Sequence, residues 1–222
     1  MESGNAAYLG RSMKSRMKRT IVISVILLGL LANLSAQVNG KGVVQFGLGS
    51  SLGVHGTHYV GEFRFFGIVN RDVHDDGAVT VTWPFEAQVG LSDRFSLGLY
   101  IEPGRYIDSA GTHPNKLLLL GISPRFYVIN KEKFAFFLHA DLGSSFLRIA
   151  DVRDGNKYYD DRYAGGHFRL GAEAQWYFGS TLGIGLGLNF AVNRFSWHDR
   201  DPDDPVLDLL NYTATLNTAG AQ

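Results

Sequence analysis

Residues 79–101 read VTVTWPFEAQVGLSDRFSLGLYI. Val79, Val81, Trp83, Phe85, Ala87, Val89 and Leu91 alternate with Thr80, Thr82, Glu86, Gln88 and Gly90. After the turn residues Ser92-Asp93-Arg94, Phe95, Leu97, Leu99 and Ile101 alternate with Ser96, Gly98, Tyr100 and Glu102. A period of two marks a β-strand, because successive side chains point to opposite faces. Two such runs joined by a short polar turn predict an antiparallel hairpin with one apolar face.

The same pattern continues on both sides. Upstream, Val44, Phe46, Leu48, Leu52 and Val54 share a face. Downstream come Leu118–Val128, Phe134–Leu142, Phe168–Phe178 and Leu182–Phe190, and then a weaker run from Val206 to Leu216 with Leu210, Tyr212, Ala214 and Leu216 on its apolar face. That makes eight predicted strands. Tight turns fall near 92–94, 130–133 and 179–181, and long connections near 57–78, 103–116, 148–166 and 194–205. Tight and long connections alternate, which places each kind at one end of an up-and-down meander. An even strand count with this asymmetry predicts closure into a barrel, which leaves no exposed sheet edge.

The two faces decide which kind of barrel. A soluble barrel should carry many lysines and glutamates outside. Here the non-apolar face is rich in Gly, Ser, Thr, Gln and Tyr, and the opposite face carries no charge in any predicted strand. Lipid contact demands that, since one Arg or Lys at the bilayer midplane costs about 2–4 kcal/mol. Phe95, Phe126, Phe134, Trp176 and Phe178 gather near the tight turns, as an interfacial aromatic girdle would. The reading is an all-β, eight-stranded antiparallel up-and-down transmembrane β-barrel behind an N-terminal signal peptide. Composition agrees with it. Of 222 residues 45% are hydrophobic and 19% charged, and 27 are glycine, whose small size suits a crowded barrel interior. The absence of cysteine excludes disulfides, thiolate metal sites and a cysteine nucleophile.

Residues 1–36 read as the signal peptide: Lys14, Arg16, Lys18 and Arg19 precede the apolar run Ile21–Leu31 and then Ala32-Asn33-Leu34-Ser35-Ala36. Met13 or Met17 is a candidate true start, and an uncleaved anchor helix is the alternative. Cleavage leaves 37–222 as one domain. It takes five of 21 basic and one of 21 acidic residues, leaving 16 against 20, or −4. Nothing in that balance forms a basic field for nucleic acid.

Gly90-Leu91-Ser92-Asp93-Arg94-Phe95-Ser96-Leu97-Gly98-Leu99 resembles the strand–turn–strand units of small bacterial outer-membrane proteins. Over about residues 40–217 the chain is similar to the OmpA/OmpX-like eight-stranded barrel superfamily. The resemblance implies tight turns toward the periplasm, long loops outside the cell, and outer-membrane lipid and lipopolysaccharide as surroundings. It departs at the end: the family usually closes on an aromatic residue, and this chain ends Asn217-Thr218-Ala219-Gly220-Ala221-Gln222.

The chemistry lies inside and in the loops. Glu86, Glu102, Arg125, His139, Asp141, Arg169 and Glu173 are predicted to point into the lumen. Charges in so narrow a space must pair, which predicts a structural plug, with a gated ion path or a carboxylate–histidine pair as alternatives. The loops hold Asp72, His74, Asp75 and Asp76; Asp151, Asp154, Asp160 and Asp161; and His198, Asp199, Asp201, Asp203 and Asp204. Solvated acidic loops or divalent-cation sites both fit them. Phe63, Phe65, Phe66, Ile68 and Val69 in the first loop either cover the barrel mouth or present an apolar surface. No phosphate loop, zinc motif, dinucleotide fingerprint or G-x-S-x-G motif occurs, so no cofactor and no catalytic residue is expected. The expected function is that of a monomeric, non-enzymatic outer-membrane protein acting in adhesion, recognition or envelope integrity, with an extracellular ligand reached through the loops. The rivals are a narrow porin-like channel and an enzyme acting on lipid A or peptides, for which His167 with Asp160 and Asp161 is the place to look.

Overall fold

Alternating runs become strands where the backbone finds a neighbouring ladder to pair with. The computed structural model describes residues 38–109, 114–154, 157–179, 182–201, 207 and 211–222, so the expected signal peptide lies outside it. Ten strands form one antiparallel up-and-down sheet: β1 (Val44–Leu48), β2 (Ser51–Phe65), β3 (Ile68–Thr82), β4 (Phe85–Ser92), β5 (Phe95–Asp108), β6 (Asn115–Lys131), β7 (Phe134–Asp154), β8 (Lys157–Phe178), β9 (Leu182–Asp201) and β10 (Thr213–Ala221). Neighbours in sequence pair in turn from β5 to β10. β10 then pairs with β2, β2 with β3, and β3 with the upper part of β5. These ladders run in a cycle. β4 pairs with the lower part of β5 and with β1.

Ten strands replace the eight expected because two of the predicted runs are broken. β3 gives way to β4 at Trp83-Pro84, since proline has no N–H for the ladder. Opposite it, β1 gives way to β2 at Gly49-Ser50. The gaps stay tied, with Trp83 N donating to Pro103 O at 2.9 Å and Gly49 N to Pro84 O at 3.0 Å.

Two further expectations are corrected. The stretch 57–78 is paired strand throughout, from Thr57↔Asp76 to Phe65↔Ile68, around the two-residue turn Phe66-Gly67 with φ of 46° and 84°. Likewise β7 and β8 stay paired out to Asp154↔Lys157, β5 runs to Asp108, and β9 runs to Asp201. The long connections are therefore mostly extended hairpins. Their inner faces are either exposed, as along Ile68–Asp76, or buried by mixed aromatic and charged residues such as Tyr159, Asp161, Tyr163 and Arg200, so they carry little alternation in hydrophobicity for a sequence reading to find. The last strand also begins later than Val206, at Thr213, and its face is reversed. Ala214 and Leu216 are buried inside, while Thr215 and Asn217 lie on the outer face. Along a strand with no large outward side chain, the apolar residues mark the inside.

Apolar side chains on the alternate face point away from the sheet and stay exposed, including Phe46, Leu48, Phe85, Leu99, Ile122, Leu138, Leu170, Ile184 and Leu188. At the short-turn end Phe95 lies opposite Phe126, and Phe134 opposite Trp176 with ring centroids 5.5 Å apart. The interior is filled. Tyr127, Ala135, Phe137 and Val38 pack together near the short turns, and Tyr100, Tyr106, Leu117, Leu147, Tyr163, Phe195 and Leu216 form a second cluster farther up. Below the lower cluster, Asn130 fastens the incoming chain: Asn39 N donates to its Oδ1 at 3.0 Å, and its Nδ2 donates to Asn39 O at 2.7 Å.

Candidate functional site

Strand parity sends one side chain in two into the interior, and the register then decides which of them meet. All seven residues expected there lie on inward positions, in two groups.

The larger group centres on Arg169 of β8, which lies opposite Asp141 of β7 in register. Its Nε donates to Asp141 Oδ2 at 2.6 Å and its Nη1 to Glu102 Oε2 at 2.8 Å. Glu102 and Asp141 are both 0% exposed, so neither carboxylate retains water. Thr82 Oγ1 donates to Glu102 Oε1 at 2.5 Å, and Gln222 Nε2 donates to the same oxygen at 2.8 Å. His139 bridges outward from this group, 3.2 Å from Asp141 Oδ1 and 2.8 Å from Asn189 Oδ1. The Arg169 guanidinium also lies over the Tyr100 ring, 5.6 Å from its centroid.

The smaller group pairs Arg125 with Glu86, with the guanidinium 4.5 Å above the Phe137 ring centroid. Glu173 accepts from Gln175 of its own strand at 2.7 Å. Between the main group and the upper aromatic cluster sit further polar residues, of which His167 alone is singled out from the sequence. His55 meets Thr80 at 2.9 Å, and His167 donates to Asn193 at 2.6 Å, which in turn donates to Thr218 at 3.0 Å. Inward parity was the available signal for each, since Thr80, Thr82 and His167 continue faces already recognised on their strands. Gln222 carried no such signal, because its strand was placed too early.

This arrangement binds its own charges. Each guanidinium is paired with a carboxylate, Arg169 with the buried Glu102 and Asp141 and Arg125 through one nitrogen with the half-buried Glu86, and ring or amide groups fill the space between. The histidine–aspartate constellation considered for catalysis is not assembled: His167 bonds Asn193, Asp160 bonds Arg148 and Asp161 bonds Arg200. Ser145 is buried and donates to Gly166 O at 3.2 Å.

In the extended hairpins several acidic residues are paired as well. Asp199 and Asp201 take Arg162, the first at 3.1 Å. Asp72 meets His74 at 2.8 Å, and Asp75 meets His58 at 2.6 Å. Ser109 O–H and Gly77 N–H donate to Asp76, and these bonds hold its carboxyl below the ordinary carboxylate range. Among the described residues no group of three His, Asp or Glu side chains could hold a metal ion. His198 is exposed. Asp203, Asp204 and the side chains of Asp151 and Asp154 lie outside the described residues. The apolar tract of the first hairpin does not cover the mouth. Phe63 packs on Tyr212 at 4.8 Å, and Phe65, Phe66, Ile68 and Val69 stand exposed at the tip.

No protein-family model matches the chain, and no curated protein matches it. Among solved structures it is similar to the N-terminal β-barrel domain of Pseudomonas aeruginosa OprF, at 10% identity and a TM-score of 0.30, over 78% of this chain and 100% of that one.

Proposed function

We propose that the chain is an integral outer-membrane β-barrel of eight crossings, with β1/β2 and β3/β4 each serving as one interrupted crossing. The observation that carries this is the outer face. From Val44 to Val54, Val79 to Leu91, Phe95 to Pro103, Leu118 to Val128, Phe134 to Phe146, Phe168 to Phe178 and Leu182 to Val192, every outward position lacks Asp, Glu, Lys and Arg. Water would make so continuous an exposed apolar surface costly, whereas lipid makes it favourable. The cycle of ladders through β2, β3 and β5 to β10 satisfies backbone groups that a bilayer could not, while β1 and Leu182–Leu188 of β9 are paired on one side only. The entry of the chain at Val38, beside the short turns, suits a periplasmic short-turn end for a protein exported N-terminus first.

Inside such a wall the packed interior acts as a plug and not as a pore, and the long hairpins carry the contacts with the surroundings. The role is structural or adhesive and non-enzymatic, exercised as a monomer among outer-membrane lipids. Heat-modifiable gel migration of the outer-membrane fraction is the test. A faster-migrating folded form that disappears on boiling is expected, and its absence would undo the barrel. Planar-bilayer conductance of the folded form should be nil. Altered lipid A acylation after deletion of the gene would replace the structural role with an enzymatic one.

A further inference from the structure

On the outer face the apolar band ends at a pair of cations. Arg105 of β5 lies directly opposite Lys116 of β6, and Lys116 lies opposite Arg148 of β7. All three are exposed. Directly beneath the Arg105–Lys116 pair come Pro103↔Leu118 and then Ile101↔Leu120, so the charge begins where the hydrocarbon-facing surface stops. Arg105 stands about ten residues above the girdle residue Phe95. At ~3.3 Å per residue and a strand tilt of ~40°, that is about 25 Å, the height of a barrel's apolar band.

Arg148 is held by Asp160, with its Nε 2.9 Å from the carboxylate. Arg105 and Lys116 are not held in this way. Among the described residues neither has a hydrogen-bond or ion-pair partner. The nearest inward carboxylates, Glu102 and Asp108, occupy the other face of β5, and residues 110–113, Ala-Gly-Thr-His, bring none. Like charges placed directly opposite one another on an antiparallel pair repel. Nothing in the local fold demands two cations there, and at a membrane boundary each also faces apolar lipid on one side.

One kind of ligand relieves both penalties. A phosphate at headgroup height accepts from the guanidinium fork and from the ammonium together, and it sits where the aliphatic stems already lie on lipid. We propose that Arg105 and Lys116 form a binding site for the phosphate of a phosphorylated outer-leaflet lipid, with Arg148 as its upper wall. This inference rests on the outer-membrane reading and adds a defined lipid contact to it.

The test uses the protein folded into phosphatidylcholine nanodiscs, with bisphosphorylated lipid A or its enzymatically dephosphorylated form added, and lipid retention read by native mass spectrometry. The wild-type protein should retain the phosphorylated form preferentially. R105Q/K116Q should lose about thirtyfold of that preference, since each cation near a charged lipid surface contributes roughly a fivefold effect. R71Q, far up the first hairpin, should leave it unchanged. Both mutated side chains are exposed and unbonded, so heat-modifiable folding of the double variant should persist and be measured alongside. Equal retention of the two lipids by wild type, or undiminished preference in R105Q/K116Q, overturns the site. Millimolar inorganic phosphate displacing the lipid completely makes it a general anion site and overturns the lipid assignment. Failure of the wild-type chain to fold in phosphatidylcholine refutes the membrane reading itself, a result separate from the others.

Discussion

Replacing Arg169 by methionine removes the cation from between two carboxylates that are both 0% exposed. Asp141 loses its 2.6 Å bond and Glu102 its 2.8 Å bond. Glu102 keeps donors in Thr82 and Gln222, and Asp141 keeps His139 at 3.2 Å, but no full positive charge lies within bonding distance of Glu102. Breaking a buried ion pair by removing one member costs about 3–5 kcal/mol, because the remaining charge is desolvated and unopposed. Losing the cation over Tyr100 adds roughly 1 kcal/mol. With a urea slope of about 2 kcal/mol per molar, the unfolding midpoint in phosphatidylcholine bilayers should fall by about 2 M. The companion E102Q/D141N/R169M removes all three charges together and should recover at least about half of that loss, since no ion is then left buried alone. Tryptophan fluorescence against urea, with both limbs shown to be reversible, reads both variants. A loss below about 1 kcal/mol for R169M, or a triple variant as weak as the single one, would refute the view that mutual neutralisation holds this interior together.

Three further outcomes follow from local geometry. Gly121 and Gly143 face each other inside the sheet, and a Cβ on Gly121 would strike the Leu142 carbonyl oxygen and come within 2.7 Å of Gly143 Cα. G121A should therefore cost about 1–3 kcal/mol by urea titration, while G166A, with nothing within 4 Å, should be silent. Phe66 occupies a left-handed turn position at φ 46° with 91% of its surface exposed, so F66N should stabilise the first hairpin by about 1 kcal/mol, read as slower protease nicking of its tip. Asp76 titrates below its ordinary value of 3.8, so its contribution to hairpin order is present above pH 3.8 and fades as pH falls through its lower folded value; S109A should move its NMR titration midpoint upward.

How far the sequence could be read depended on which solvent each stretch meets. Wherever one face is outward and apolar and the other lines the interior, the two faces differ in hydropathy, and parity is visible. Residues 85–101 and 168–190 paired as their alternation predicted, and all seven charged interior positions turned inward. The outer part of the first hairpin is exposed on both faces along Ile68–Asp76, so Thr57–Asp76 alternates in direction without alternating in polarity. β10 failed for a related reason: its outer residues are Thr215, Asn217, Ala219 and Ala221, none large and apolar enough to mark the outer side. The breaks at Trp83-Pro84 and Gly49-Ser50 were visible as residue types and were outweighed by the continuous alternation around them.

Partner choice in the interior was a different problem, because register rather than parity selects it. Arg169 reaches Asp141 across one ladder, but Glu102 stands 67 positions away in sequence and Gln222 53 positions away, brought in only because the sheet curls back on itself. No local pattern contains that information. The same curling explains the glycines. Gly121 against Gly143, and Gly165 against the Arg194 carbonyl, sit where neighbouring backbones approach too closely for a Cβ. A residue type that looked like a compositional excess in the sequence is thus a steric requirement of the curled sheet. That requirement is why the charges inside have to neutralise one another: an interior tight enough to exclude a methyl group at these positions has little room for hydration around an unpaired ion.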